Sequence, residues 1–284
     1  MSLRSITRKA LLAGLVIGLL PLHAAAINPP TNPDPDPGQP PIGNPLPPVS
    51  RVDVNGPYAT TIDTRAGPSR SGWVVRPTTL GANGVVHPVF IWGPGAASRP
   101  SNYEDHLRRI ASHGFVVYSE VSSNSGSEMG AAIDWLIAQN ASSRSAYYQK
   151  LDTSKIGAGG HSRGSVATFA NASDGRLTTT IHVAGGSFDG RGPNNLRKPA
   201  AFICGEDDRT ATPNCTRDYA NARTSVWFTV IDNANHTSTA RDGLSVMVAW
   251  LRWQLAGEAE RRTMFIDPSC DFCGRGYETQ YKNW

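Results

Sequence analysis

The segment Gly160-His161-Ser162-Arg163-Gly164 is the part of the chain best suited to do chemistry, because it sets one serine between two glycines in a G-x-S-x-G pattern. A serine at a sharp strand-to-helix turn carries an exposed hydroxyl, and bulky residues two positions away on either side would collide with the turn. We therefore predict that Ser162 is a nucleophile. The alternative is an ordinary glycine-rich turn, because five residues alone match this pattern often by chance.

A serine nucleophile needs a histidine that takes its proton and an acid that orients the histidine. In α/β-hydrolases, which this strand-turn-helix pattern resembles, the order along the chain is serine, acid, histidine. Of the histidines after Ser162, His182 lies inside the apolar run 181–183, which favours a structural role. His236 lies in a polar loop directly after the predicted strand 226–231. We therefore predict that His236 is the base.

The candidate acid lies in the polar loop after the predicted strand 200–204, where Asp207 and Asp208 are adjacent. In open sheets of alternating strands and helices, active-site groups lie at the carboxyl ends of the strands. We predict that Asp208 is the acid and keep Asp207 as the alternative. A solvated acidic turn without a catalytic role is the competing explanation.

Hydrolysis through a serine also needs two backbone N–H groups that stabilise an oxyanion. One is expected from Arg163, the residue after the nucleophile. The other is expected from the loop 93–97, where Ala96 is the predicted donor and Ala97 the alternative. The Arg163 side chain has two interpretations: contact with a carboxylate or polar acyl group of a substrate, or a salt bridge on its helix.

Strand-like and helix-like segments alternate along the chain, which predicts an α/β fold with a mostly parallel sheet and helices on both faces. Each predicted catalytic residue then lies in a loop at a strand end, and no insertion is long enough for a lid domain. A capping box from Ser101 to Glu104 predicts the start of the first helix. The predicted strands cover 73–77, 85–92, 115–118, 155–159, 179–184, 200–204 and 226–231, and the last long helix covers 242–256.

The first 50 residues are expected to lie outside the folded domain. Residues 1–26 have the pattern of a secretory signal peptide, with a basic start, an apolar run over 11–22 and a cleavage site at Ala24-Ala25-Ala26. Residues 27–50 contain ten prolines, which predicts an extended, disordered arm. The globular composition of residues 51–284 suits one catalytic domain.

Charge and residue spacing limit the expected partners. Of the 27 Lys and Arg residues, three lie in the predicted signal peptide, so the rest nearly balance the 23 Asp and Glu residues. We therefore expect no nucleic-acid partner, no membrane partner for the mature form, and a monomer. The sequence contains no cluster with metal-ligand spacing and no phosphate-binding glycine loop, so no cofactor and no metal are predicted.

The four cysteines favour disulfides in an exported chain. Of the three possible arrangements, proximity in sequence favours Cys204–Cys215 together with Cys270–Cys273. The second pair closes a very short loop, and a C-x-x-C pair can instead be redox-active. The absence of a thioredoxin-like strand-helix-strand context around it favours a structural pair.

Several segments in the same order resemble the bacterial cutinase-type polyester hydrolases, including the PET-hydrolase-like enzymes, of the α/β-hydrolase superfamily. The resemblance covers most of residues 73–262 and is carried by Pro94-Gly95, 111–117, Leu151-Asp152-Thr153, 160–164 and 248–252. It implies a lidless α/β-hydrolase fold with an exposed groove for bulky or polymeric esters. Its catalytic positions coincide with those derived above, namely Ser162, Asp208 and His236, with Ala96 and Arg163 at the oxyanion hole.

The chain departs from that family in three places. Ala96 stands where those enzymes usually have an aromatic residue, and 163–165 (Arg-Gly-Ser) replaces a methionine and two glycines. The segment 183–187 lacks a tryptophan that forms the groove wall in the family. The segment 160–164 is also similar to that of chlorophyllases, so the resemblance does not identify the ester.

The predicted function is a secreted serine carboxylic ester hydrolase, extracellular or periplasmic, that acts on a small or polymeric ester through an acyl-enzyme. One group of alternatives stays within catalysis: an esterase for carbohydrate or chlorophyll-type esters, or a serine peptidase, since the same triad cleaves amides. The other alternative is a non-catalytic binding module tethered by the proline-rich arm.

Overall fold

The computed structural model describes residues 43–284. The predicted signal peptide, 1–26, and the first part of the predicted arm, 27–42, lie outside the described residues. Within the described part, no helix combines the length and the apolar character that crossing a bilayer requires.

Nine strands in residues 43–284 form one sheet: β1 (Thr60–Ala66), β2 (Gly72–Pro77), β3 (His87–Gly93), β4 (Val116–Ser119), β5 (Leu151–His161), β6 (Leu177–Val183), β7 (Ala200–Gly205), β8 (Val226–Ile231) and β9 (Tyr277–Lys282). Their order across the sheet is β1-β2-β4-β3-β5-β6-β7-β8-β9. The six inner strands, β4, β3, β5, β6, β7 and β8, pair in parallel with one another. The outer strands β1, β2 and β9 pair antiparallel to their neighbours. β3 and β5 lie at the centre of the sheet.

The same residues contain six α-helices: α1 (Glu104–Ser112), α2 (Ser127–Ala141), α3 (Arg163–Asn171), α4 (Thr212–Asn221), α5 (Thr239–Asp242) and α6 (Leu244–Gln254). Strand β3 illustrates how they cover both faces of the sheet, because successive side chains of a strand point to opposite sides. Phe90 and Trp92 belong to the core that α1 and α6 share, whereas Val89 and Ile91 belong to the core that α2 shares. The continuous apolar run of β3 therefore matches a strand buried on both faces.

This strand order, with parallel inner strands and helices on both faces, is that of the α/β-hydrolase fold, which confirms the predicted class. All seven predicted strands are present as β2 to β8. The two outermost strands, β1 and β9, were not predicted. Their sequences are polar and their side chains are mostly half-buried or exposed, so neither produces the apolar run that identifies an inner strand.

The predicted capping box at the start of the first helix is wrong. A 3₁₀ turn covers Pro100–Tyr103, and α1 begins only at Glu104. The side-chain oxygen of Asn102 accepts the N–H of Arg99 at 2.9 Å and so stabilises the start of the turn. Proline suits the first position of a helical turn because its φ is fixed and it has no N–H to satisfy, which moves the start one residue ahead of Ser101.

Residues 43–50, the last part of the predicted arm, lie against the domain. Leu46 is 5% exposed, and the N–H of Val49 donates to the carboxylate of Glu258 at 3.0 Å. An extended proline-rich chain can still bury one apolar side chain and hydrogen-bond its backbone. The packed part of the chain therefore begins earlier than the boundary at residue 50 that composition indicates.

Candidate active site

Ser162 lies in the turn between β5 and α3 in a strained backbone conformation. Its φ is 55° and its ψ is −114°, although it carries a side chain. Such conformations cost energy in residues other than glycine and persist only where the surrounding structure imposes them. The N–H of Ser162 donates to the carbonyl of Val183 at the end of β6, at 2.9 Å. This turn therefore has the conformation that a nucleophile elbow requires.

The two glycines of the pattern are required by close packing of the backbone. A Cβ atom on Gly160 would lie 2.4 Å from the carbonyl carbon of Gly164. A Cβ atom on Gly164 would lie 1.9 Å from the carbonyl oxygen of Gly93, the last residue of β3. The pattern thus lets helix α3 start directly against the end of β3, which leads into the loop with the predicted oxyanion donor.

The structure brings the three predicted catalytic side chains together, although they are far apart in the sequence. The Nε2 atom of His236 lies 3.0 Å from the Oγ atom of Ser162, and its Nδ1 atom lies 2.7 Å from Oδ2 of Asp208. The alternative acid, Asp207, is exposed. It makes no side-chain hydrogen bond to His236 in residues 43–284, whereas Asp208 does.

The surroundings of Asp208 fix the orientation of the imidazole. The Asp208 side chain is 1% exposed, and its Oδ1 atom accepts the N–H groups of Thr210 and Ala211 at 3.0 and 2.9 Å. A carboxylate only accepts, so the proton of the neutral imidazole lies on Nδ1 of His236. Nε2 is then free to accept the hydroxyl proton of Ser162.

The predicted oxyanion donors lie in the same cleft. Ala96 and Arg163 line it together with Ser162 and His236, whereas Ala97 does not. Within residues 43–284, the N–H of Ala96 has no backbone acceptor. Arg163 is the first residue of α3, where the N–H group has no partner inside the helix. Both groups are therefore available to a substrate oxygen.

The cleft holds about 140 Å³ of free space beside Ser162. Its remaining lining is mostly small or apolar and comes from three segments: Val166 of α3, the loop 184–188, and the start of α4 with the loop before it. Phe188 is the largest residue of this lining and is 72% exposed. An apolar side chain so exposed at the mouth of a cleft offers a surface for an apolar ligand.

The sequence pattern does not identify Phe188, because Phe188 lies outside 183–187, the segment where the family resemblance places a groove-wall aromatic residue. The signal was one residue further along, in the glycine-flanked loop 185–190 after β6. Spacing alone did not show that this loop turns towards Ser162, because its position depends on contacts with α4.

The Arg163 side chain is exposed and lines the cleft. None of the ion pairs found in residues 43–284 includes Arg163. The helix-surface salt bridge considered from the sequence is therefore not seen in this part of the chain.

Two disulfides join the pairs that sequence proximity favours, Cys204–Cys215 and Cys270–Cys273. The first links the end of β7 to α4, on either side of the Asp208 loop. Because Cys204 and Cys215 are both almost fully buried, this link supports the core beneath that loop.

Comparison with known proteins identifies the family to which this site belongs. No curated protein matches the chain closely enough to count as a relative. The PETase family model, described as PET hydrolase-like, matches residues 38–280. The matched span includes the elbow, the Asp208 and His236 loops and the oxyanion loop. The chain therefore belongs to the PET hydrolase-like family and is a hydrolase that acts on esters.

Proposed function

We propose that the protein is a secreted serine carboxylic ester hydrolase in which Ser162, His236 and Asp208 form the catalytic triad. One observation carries the proposal: the continuous hydrogen-bonded series from Ser162 Oγ through His236 to the buried carboxylate of Asp208, with the serine in a strained turn. Membership of an ester-hydrolase family supports the reaction class.

Acylation begins when Oγ of Ser162 attacks the carbonyl carbon of the ester and its proton moves to Nε2 of His236. The carbonyl oxygen becomes an oxyanion that accepts hydrogen bonds from the N–H groups of Ala96 and Arg163. The tetrahedral intermediate then breaks its bond to the alcohol oxygen, which takes the proton from Nε2 of His236. The product of this half-reaction is an acyl-Ser162 ester.

Deacylation repeats these steps with water in place of Ser162. Water attacks the acyl carbon while Nε2 of His236 takes one of its protons. Collapse of the second intermediate releases the acid and returns the proton to Ser162. Throughout, Asp208 holds the imidazole by its Nδ1–H group and stabilises the imidazolium form.

The cleft supports an ester with an apolar or aromatic part as the substrate. Phe188 presents an exposed ring at its mouth, and the His236 side chain is 37% exposed. An open, partly apolar cleft accommodates a bulky ester or a segment of a polymer chain as well as a small ester. The lining therefore favours polyester or aromatic ester substrates over carbohydrate esters.

We propose a signal peptide at 1–26, a proline-rich arm after it, and one catalytic domain that includes 51–284 and the packed segment 43–50. Export is supported by the signal-like pattern of 1–26 and by two disulfides, which form and persist in oxidising compartments.

The test compares the wild-type protein with the Ser162→Ala variant on p-nitrophenyl esters. We expect kcat/KM to fall by at least about 10³-fold, because the nucleophile is lost while the rest of the cleft stays intact. A fluorophosphonate probe should label the wild type at Ser162 and leave the variant unlabelled. Wild-type turnover by Ser162→Ala would remove the proposed mechanism.

A second assay separates the ester hydrolase from the peptidase. The wild type is given an ester and an anilide that share the same acyl group. The proposal expects hydrolysis of the ester and little of the anilide. Preference for the anilide would favour a peptidase, and no labelling or turnover at all would favour a binding module.

A further inference from the structure

His161, the residue before the proposed nucleophile, is buried and joins two other parts of the site. The residue is 7% exposed and is not among the residues that line the cleft. Its Nδ1 atom lies 2.7 Å from the hydroxyl oxygen of Tyr103, and its Nε2 atom lies 2.7 Å from the carbonyl oxygen of His236. The triad itself uses neither nitrogen of His161.

Tyr103 extends this connection to the oxyanion loop. Its hydroxyl oxygen lies 3.0 Å from the N–H of Gly95, the residue before the proposed donor Ala96. The approach is close, because a Cβ atom on Gly95 would lie 2.9 Å from Nδ1 of His161. Tyr103 and His161 therefore fill the space between the oxyanion loop and the elbow.

The Gly95 N–H, the Tyr103 hydroxyl, the His161 imidazole and the His236 carbonyl form a series of three hydrogen bonds. The direction of each bond follows from the two groups at the ends of the series. The N–H of Gly95 can only donate, so the Tyr103 oxygen accepts it and gives its own hydrogen to Nδ1 of His161. The carbonyl of His236 can only accept, so Nε2 of His161 carries the hydrogen. A neutral imidazole with its hydrogen on Nε2 satisfies all three bonds.

The protonation state of His161 agrees with this assignment. Burial is the largest cause that lowers its pKa, from 6.5 to about 4. The nearby ionisable groups act in both directions: His236 and His106 lower the pKa, and Asp208 raises it. The imidazole is therefore neutral at neutral pH and can accept at Nδ1.

We propose that Tyr103 and His161 are positioning residues, which hold the oxyanion loop and the His236 loop at a fixed separation on either side of Ser162. The proposal rests on the proposed function of these loops. Three segments distant in sequence meet in this series: Gly95 before the oxyanion donor, His161 before the nucleophile, and the backbone of the base itself. A shift of a reacting group by about 1 Å can cost a factor of about 10² in rate.

The test must distinguish the positioning role of Tyr103 from a purely structural role in which its ring only packs against its neighbours. The Tyr103 ring packs edge-on against Trp92 and His106, with centroids 5.6 and 5.8 Å apart. Tyr103→Phe keeps these ring contacts and removes only the hydroxyl group. Tyr118→Phe is the matched control, because Tyr118 is also buried and also donates a hydroxyl hydrogen bond, at 2.7 Å to Glu120, outside the cleft.

The experiment measures kcat, KM and Tm for Tyr103→Phe, His161→Phe and the double variant on one neutral ester. Each single variant is expected to lower kcat about tenfold with KM changed by less than about twofold. The double variant should be no slower than the slower single variant, because both changes break one series. Tyr118→Phe should keep wild-type kcat.

Wild-type kcat in Tyr103→Phe would overturn the proposal, as would multiplicative losses in the double variant. Imidazole ¹⁵N NMR gives a readout that does not depend on turnover. It should show His161 with its hydrogen on Nε2 and a change of the His236 ring signals in Tyr103→Phe. If the wild type hydrolyses no ester, the proposed function fails, and unchanged His236 signals would then also overturn the positioning role.

Discussion

At the scale of single residues, the site depends on which atoms can only donate or only accept. Asp208 accepts two backbone N–H groups on one oxygen and the imidazole of His236 on the other. These three bonds use both carboxylate oxygens and leave the orientation of the ring little freedom. In the proposed mechanism, Asp208 therefore acts through the proton position of His236 rather than through contact with the substrate.

Asp208→Asn is expected to lower kcat by about 10³- to 10⁴-fold, because an amide that donates to Nδ1 of His236 stabilises the wrong tautomer. Tm should change little, since the Asn oxygen still accepts the N–H groups of Thr210 and Ala211. Ester turnover and thermal unfolding of the variant measure both effects. Asp207→Asn is the control and should keep wild-type activity; the reverse pattern would make Asp207 the acid.

The predicted residues and the missed ones differ in how their positions are determined. Ser162 and His236 could be predicted because each follows a strand whose apolar run is visible in the sequence. Tyr103, His161 and Phe188 could not be assigned these positions, because hydrogen bonds and packing between distant segments determine them. Short-range patterns carry no signal for such contacts.

At the scale of elements, the loop between β6 and β7 determines the shape of the cleft. The N–H and hydroxyl groups of Ser187 donate to the buried carboxylate of Asp218 on α4, and Arg217 donates to the Ser187 carbonyl. The disulfide Cys204–Cys215 fixes the same helix to β7. The loop is therefore held in place directly beside Phe188, which makes Phe188 an exposed but positioned side chain.

Phe188→Ala is expected to raise KM for an aromatic ester about three- to tenfold, which corresponds to one aromatic contact. KM for a small aliphatic ester without a ring should change less, and kcat should stay near the wild-type value for both. Steady-state kinetics with the two esters measures the difference. Tyr281→Ala, an exposed aromatic residue on β9, is the control. An equal change for both esters would exclude substrate contact by Phe188.

At the scale of the whole molecule, a buried ion-pair cluster holds residues 43–50 to the domain. Glu258 pairs with both Arg252 and Arg261, and all three side chains are almost fully buried. Arg252 also donates to the carbonyl of Pro47 at 2.6 Å. The backbone of the packed segment is thus part of the cluster.

Glu258→Ala is expected to lower the free energy of unfolding by about 3 to 5 kcal/mol, because it leaves two buried guanidinium groups without their carboxylate. Urea unfolding at neutral pH measures the loss. Glu260→Ala, two residues away and exposed, should lie within about 0.5 kcal/mol of wild type. Equal stability of Glu258→Ala and the control would contradict the role of the cluster.

The buried histidines make the free energy of unfolding depend on pH. Burial is the largest cause that lowers the pKa of His113 and His161 to about 4 and that of His182 to about 3, from 6.5. Between pH 6.5 and 4 the unfolded chain therefore binds more protons than the native chain. The stabilisation is complete above pH 6.5 and is lost as the pH falls towards 4.

The free energy of unfolding should fall by at least about 2 kcal/mol between pH 7.5 and pH 5, since one unit of pKa corresponds to about 1.4 kcal/mol. Urea unfolding at several pH values measures the slope. His182→Phe removes one fully buried titrating group and should make the slope shallower than in the wild type. A flat profile from pH 7.5 to 5 would contradict the burial of these histidines.

The central claim, that Ser162 is acylated during ester hydrolysis, is tested most directly by rapid-quench mass spectrometry. The wild-type protein is mixed with a p-nitrophenyl ester, quenched within the first turnover and digested. The account predicts the mass of the acyl group on the peptide that contains Ser162, and none in the Ser162→Ala variant. Full ester turnover with an unmodified Ser162 peptide, or with the acyl group on another residue, would contradict it.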